Sequence, residues 1–324
     1  MNGPVPQGVQ IKPGRDEIAA PRSPFLSVLQ QNLAADTPSD LSIHGASATL
    51  HGGNLQTPPP EHNGVSVHAT AEGDTWLQVA RQQKSDESLD AVAFSAYRDL
   101  LSCAKEIRGG LVRIWNQIPS ILSEDESVIR YHRFNAGRLK AWQQYGPKSG
   151  DGQLMLPAAT GIGSAEHALF IRAFLSPHPV IRLQNPSQIP PAWYSRKYGA
   201  RPPLFSRASI LLKPHCHQMF VSGTASITGE DARHLGDPVS QTRQSLTNIR
   251  NLIDDGNCQR HGYGGHFAFT DLKSMRVYVK NADQFDIVRK TVEAEVACPI
   301  TYKQCDICRE ELLVEIECII ETTA

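Results

Sequence analysis

From residue 89 to 107 the chain runs LDAVAFSAYRDLLSCAKEI, with apolar side chains recurring every three or four positions, a spacing that predicts a helix with one buried face. LVRIWNQI (111–118) alternates apolar with polar residues and predicts a half-buried strand, and a second helix is predicted around 124–145. LMLPAAT (154–160), ALFIRAFL (168–175) and the short VIRL (180–183) read as further strands. In the second half, ASILLKP and QMFVSGTASI form a strand pair. DPVSQTRQSLTNIRNLIDD (237–255) is a helix opened by Asp237, a good N-cap, with Pro238 at the first helical position. SMRVYVKN (274–281) is a strand, ADQFDIVRKTVEAEV (282–296) a helix, PITY a short strand and ELLVEIECII (311–320) a final strand.

Helix, strand, helix, strand, strand thus describes both halves. Even the strand exits agree, LVRIWNQ beside MRVYVKN, with Asn116 and Asn281 in matching places. The pattern predicts an internal duplication, two similarly folded α/β units at 61–205 and 206–324. Residues 1–60, rich in Pro, Gly, Ser, Asn and His and including Pro58-Pro59-Pro60, have no sustained period and read as an irregular N-terminal segment. A length of 324 residues suits two domains.

Charge changes the picture by exclusion. With 32 Lys and Arg against 33 Asp and Glu, a formal charge of −1 leaves no electrostatic footprint for nucleic acid or an anionic membrane, which points to a small-molecule partner. No apolar run reaches the roughly 18 residues of a membrane span, and the start MNGPVPQGVQ lacks the apolar core of a secretion signal. Seven cysteines, an odd number, with Cys103, Cys298 and Cys318 inside apolar runs, suit reduced thiols. The expectation is a cytoplasmic protein.

In the last strand, period-two alternation sets Leu313, Glu315 and Glu317 on one face and Leu312, Val314 and Ile316 on the other. A carboxyl at the centre of an apolar strand is unusual, although a solvated strand face accounts for the pattern as well. In FNAGR, Gly137 permits close approach of a backbone or ligand beside Arg138, and Tyr145 lies two turns on, at i+7. His215-Cys216-His217 and the pair Cys305 and Cys308 lack completing ligands at metal spacing, and the CxxC lacks a redox context, so neither is assigned a metal or redox role. The tract Gly229-Glu230-Asp231 and the pair Gly161 and Gly163 read as turns.

Residues 222–253, SGTASITGEDARHLGDPVSQTRQSLTNIRNLI, resemble the RidA (YjgF) pattern of a strand ending in SGT, a Gly/Asp loop and a Gln-bearing helix, and LLVEIECII is similar to that family's last strand. RYHRFNAGRLKAWQQYG (130–146) and WYSRKYGARPPLFSRASILL (193–212), taken with SGTAS and CREELLVEIE, resemble the chorismatases, over roughly residues 110–324. That resemblance implies an α/β (α+β) fold of two RidA/YjgF-like units in one chain, each a mixed sheet packed on one side by helices, in a pseudo-trimer-like arrangement.

It also implies cleavage of the enolpyruvyl ether of chorismate with release of pyruvate and no cofactor. Glu315 matches the family's catalytic acid. Arg138, Arg201 and Arg207 are candidates for the two substrate carboxylates, with Tyr145, Tyr198, Thr224, Ala225, Gln241 and Cys308 as further substrate contacts. Cys308 favours 3-hydroxybenzoate as product, with 4-hydroxybenzoate as a second one, whereas Ala225 looks more like the hydrolytic branch that gives a dihydroxycyclohexadiene carboxylate. A RidA-type enamine or imine hydrolase and a non-catalytic sensor of aromatic carboxylates are the competing classes. A monomer or a homotrimer is expected, since RidA proteins are trimers.

Overall fold

The computed structural model describes residues 64–324, so the segment read as irregular, 1–60, lies outside the described residues. In chain order come β1 (Val65–Ala69), β2 (Thr75–Gln82), α1 (Leu89–Glu106) and β3 (Gly110–Pro119). The two-residue strands β4 (Glu124–Asp125) and β5 (Val128–Ile129) precede α2 (Arg130–Tyr145), β6 (Ala158–Ser164), β7 (Ala168–Ser176) and β8 (Val180–Leu183). Then follow β9 (Ala208–Leu212), β10 (Cys216–Ala225), β11 (Ile227–Thr228), β12 (Asp231–Ala232), α3 (Pro238–Ile253) and the short α4 (Asp255–Arg260). β13 (Leu272–Val279), α5 (Phe285–Glu293), β14 (Ile300–Gln304) and β15 (Val314–Thr323) end the chain.

The strand orders are β1-β2-β7-β3-β6 in one sheet and β14-β13-β15-β10-β9-β8 in the other. Replacing β1, β2, β3, β6 and β7 by β9, β10, β13, β14 and β15 converts the first order into the second, with β8 added at the edge. The parallel strand pair of the first sheet, β3 with β6, likewise corresponds to β13 with β14 in the second. The repeat seen in the hydrophobic pattern is therefore a repeat of topology. β8 hydrogen-bonds to β9, so the VIRL strand completes the second sheet although it precedes that unit in sequence.

Alternation along the strands builds two cores and one junction. Leu77, Val79, Ile114 and Ile171 pack with Val92, Ala96 and Leu100 of α1 and Phe134 and Trp142 of α2. Met219, Val221, Val277, Val314, Ile316 and Ile320 pack with Leu246, Ile249 and Leu252 of α3 and Val288 and Val292 of α5. The residues between them in sequence face the other way, and there the sheets meet, with Phe174 of β7 against Phe220 of β10 (ring centroids 5.5 Å apart). The edge strand β6 satisfies its amides across this junction: Ala158 N donates to Ser209 Oγ, Ala159 N to Ser222 Oγ, and the Gly223 amide donates back to Thr160 Oγ1, each at 2.9 Å.

Element ends differ from the sequence expectations for local reasons. The helix expected from 124 begins at Arg130, because Glu126 and Ser127 adopt φ of 50° and 63° and turn the β4–β5 hairpin. The strand expected at 154–160 starts only at Ala158, after Pro157, and the helix expected at 282–296 opens as a 3-10 turn and is regular only over Phe285–Glu293. The last strand starts at Val314 rather than 311, since the Leu313 amide is taken by the Gln241 side chain (2.8 Å). β1 and β2 have no counterpart among the sequence expectations. Asp237 does cap α3, its Oδ1 accepting from the amides of Val239 and Ser240 at 3.0 Å.

Gly137 is where α1 and α2 touch backbone to backbone, and a Cβ there would fall 2.0 Å from the Asp90 carbonyl oxygen. Gly137→Ala should force the helices apart and lower stability by about 1–3 kcal/mol, read as a lower denaturation midpoint.

Candidate active site

A cleft, about 730 Å³ with the open solvent at its mouth included, lies where the halves meet, walled by α2, β6, the segment 194–207, β10 and the entry to β15. Glu315 lies at its base. It is 4% exposed, register-opposite Ala225 of β10 and Tyr278 of β13. No side chain or backbone group among the described residues hydrogen-bonds its carboxyl, and the groups that act on it do so through burial and charge alone. Burial first, and then the charge of Glu317, push Glu315 up to about 8 against the opposing pull of Arg113 and Arg207, so it is a protonated acid at neutral pH.

Its backbone neighbour is chosen for space. A Cβ at Gly223 would sit 2.0 Å from Glu315 Oε1, so glycine on the facing strand leaves room for the carboxyl. Gly223→Ala should displace the acid and reduce kcat by about 10²-fold with the fold retained, checked by steady-state kinetics beside circular dichroism.

Two buried arginines share the cleft. Arg138 is 3% exposed, its guanidinium 5.1 Å from the Phe134 ring centroid, and its Nε and Nη2 have no hydrogen-bond partner among the described residues. Arg207, 4% exposed, gives Nη2 to the Ile189 carbonyl (3.1 Å) and the Tyr194 hydroxyl (2.7 Å), and its Nε has no partner among the described residues. A buried guanidinium with idle donors is costly unless something polar arrives to fill them. The geometry therefore suits an anion with more than one acceptor group.

Of the other residues singled out from the sequence, Tyr198, Ala225 and Cys308 line the same cleft. The Tyr198 hydroxyl donates to Asp231 (2.8 Å), so the ring rather than the phenol is presented. Burial and then Glu315 push the Cys308 thiol up to about 12, making it a neutral wall rather than a nucleophile.

Four others lie elsewhere. Tyr145, half exposed at the end of α2, packs beside Phe94, because i+7 moves a side chain about 10 Å along the helix axis. Arg201 is exposed and does not line the cleft. Thr224 points to the opposite face of β10 from Gly223 and Ala225, with Oγ1 donating to the Ser222 carbonyl (2.8 Å). Gln241 is fully buried and clamps the backbone leading into β15, donating to the Glu311 carbonyl (2.9 Å) and accepting from the Leu313 amide (2.8 Å).

Sequence reasoning missed Tyr131, Thr160, Tyr194 and Arg309. Arg309 follows Cys308 directly. Its guanidinium lies 3.5 Å from the Tyr198 ring centroid and donates to the Glu230 carbonyl (2.8 Å). Of the histidines and cysteines set aside as metal ligands, His217 Nδ1 hydrogen-bonds the Tyr263 hydroxyl at 3.0 Å, and Cys305 is pushed up to about 12, chiefly by burial. Among the described residues no helix is long and apolar enough to cross a membrane.

Duplicated α/β topology with a protonated carboxylic acid facing idle arginines defines a class of small-molecule site rather than a macromolecular interface. Comparison with known proteins names that class. Residues 56–176 match the family model "Chorismatase FkbO/Hyg5-like, N-terminal". A chorismatase of Streptomyces hygroscopicus is 31% identical over 262 residues, 79% of this chain and 74% of that protein. A 3-hydroxybenzoate synthase of the same organism is 36% identical over 217 residues, 64% of this chain, and the match spans 62% of that relative's length. A crystal structure of a chorismatase superposes with a TM-score of 0.73 at 28% identity, covering 80% of this chain and 77% of that one. The chain belongs to the chorismatase family.

Proposed function

We propose that the protein is an enzyme that cleaves chorismate to pyruvate and 3-hydroxybenzoate, with 4-hydroxybenzoate as a second product, Glu315 being the proton donor. The observation that carries this reading is the isolated, protonated Glu315 carboxyl at the base of a cleft that also holds two buried arginines with unpartnered donors. Chorismate carries two carboxylates, and Arg138 and Arg207 have the donors to receive them. Tyr198, Ala225 and Cys308 wall the ring, whereas Tyr145, Arg201, Thr224 and Gln241 are left out of direct contact.

Glu315 gives its proton to the methylene carbon of the enol ether, forming an oxocarbenium ion and leaving the carboxylate behind. The neighbouring ring hydroxyl oxygen then bonds to the carbon from which the ether oxygen leaves, its proton returning to the Glu315 carboxylate, and pyruvate is freed. The resulting epoxide isomerises to 3-hydroxybenzoate, whereas loss of the carbinol C–H proton to the carboxylate instead gives 4-hydroxybenzoate. Hydroxybenzoate and pyruvate together contain the atoms of chorismate, so this outcome consumes no water, whereas the diene diol consumes one. The sequence of the 3-hydroxybenzoate synthase relative and the neutral thiol of Cys308 beside the acid both favour the aromatic outcome.

Incubation of the purified protein with chorismate, followed by chromatography, tests the reading. Pyruvate is expected in an amount equal to 3- and 4-hydroxybenzoate together, with 3-hydroxybenzoate the main aromatic product. Unchanged chorismate, or the diene diol as sole partner of pyruvate, would reject it. We place the reaction in the cytoplasm, in keeping with a charge-balanced chain and its reduced cysteines, in a monomer or a homotrimer, a choice that light scattering decides.

A further inference from the structure

A cleft made cationic to hold a dianion is a poor place to keep a carboxylic acid neutral. Arg138, Arg207 and Arg309 line it, and Arg113 lies behind it. Each favours the ionised form of Glu315. Something must oppose them, and burial is only part of the answer.

Glu317 stands two residues further along β15, on the same face as Glu315, and its surroundings are the opposite. It is 5% exposed yet accepts from Arg113 Nη2 (2.7 Å), Thr160 Oγ1 (2.5 Å), Trp115 Nε1 (3.1 Å) and the Tyr278 hydroxyl (3.1 Å), with Arg276 Nη1 at 3.6 Å. These donors come from β3 and β6 of the first sheet and β13 of the second. Thr160 is fully used: its oxygen accepts from Arg113 and from the Gly223 amide while its proton goes to Glu317. Burial pushes Glu317 up, but Arg113, Arg276 and the hydrogen-bond donors together outweigh it and hold the carboxyl below the ordinary range, a fixed negative charge.

We propose that Glu317 is a positioning residue for the acid, a carboxylate locked in its charged form at the sheet junction, whose field neutralises Arg113 and Arg276 locally and keeps the proton on Glu315. The inference rests on the reading of Glu315 as the proton donor. Two carboxyls on one strand face are divided by their hydrogen bonds into a permanent anion and a working acid, as environments divide paired carboxyls elsewhere. Other ionisable groups facing the cleft around Glu315 are Tyr131, His132 and Arg138 of α2, Tyr194, Tyr198 and Arg207 before β9, Cys305, Cys308 and Arg309 before β15, and Tyr278 of β13. All of these stay in place when Glu317 alone is changed.

The test is the pH profile of chorismate turnover in Glu317→Gln. Removing the anion and freeing its arginines both favour ionised Glu315, so the alkaline limb of kcat/KM should move down by at least about one pH unit, with about fivefold or greater loss at pH 8 and recovery toward wild type near pH 5.5. A limb that stays put, with loss equal at every pH, would mean a structural role only. Should E317Q not fold, the neutralised pair E317Q/R113M is the second variant, and its limb should also lie below wild type, because Glu317 acts on Glu315 more strongly than Arg113 does. Carbon-13 NMR of glutamate-labelled wild-type protein needs no variant. One buried glutamate should be ionised and one protonated at pH 7, and Glu317 found protonated there would overturn the proposal. An unshifted E317Q limb beside an inactive Glu315 variant rejects this inference and spares the reading of Glu315, whereas an active Glu315 variant rejects both.

Discussion

Glu315→Gln should lose chorismate turnover by about 10³-fold or more, because the amide keeps the shape of the side chain but has no proton to give at the vinyl carbon. Binding of a non-reactive aromatic dicarboxylate should persist, since Arg138 and Arg207 are untouched. Stability supplies an independent check through its sign. Glu315 is raised in the folded protein, so the folded state holds the extra proton, and the stability of wild type falls as pH rises from the ordinary glutamate value through about 8. The uncharged amide of the E315Q variant carries no such penalty. The melting temperature of E315Q relative to wild type should therefore climb across that window and level off above it. Activity of the wild type should fall over its upper end, as the acid loses its proton.

Arg138→Met should produce the second large loss, a drop in kcat/KM of about 10²-fold or more, from removing one cation of a buried anion site. Arg138→Lys should restore little, because a compact ammonium cannot supply two donors in a fixed fork. The same R138M protein should be at least as stable as wild type. Its buried Nε and Nη2 have no partner among the described residues, so the folded chain bears their desolvation without return until an anion binds. Steady-state kinetics and thermal melts on one preparation test both halves. Equal loss of activity and stability would make Arg138 a structural residue instead.

The duplicated fold was legible because hydrophobic period survives in each half: α1, β3, α3 and β13 lie within two residues of where the pattern sets them. Glu315 was legible for a related reason, as an acid between apolar neighbours on a strand that both sheets bury. The arginines were not legible from pattern, since whether a helical Arg is solvated or buried depends on what lies across from it. Tyr145, seven residues after Arg138, lies at the exposed end of α2 and does not line the cleft. Helical side chains lean toward the N-terminus, so the partner in the cleft is Tyr131, seven residues before, rather than Tyr145, seven after. Gln241 is a case where a buried polar residue serves the backbone, fixing the register of β15 two residues ahead of the acid. Thr160, at the end of an unremarkable apolar stretch, acquires its meaning only from the distant Glu317 and Gly223.

Infrared titration of the resting protein tests the central claim most directly. The carbonyl stretch of a buried, protonated carboxylic acid should be present at pH 7, should vanish as pH rises through about 8, and should be absent from E315Q. Its absence from wild type at pH 7, or its persistence in E315Q, would contradict the account.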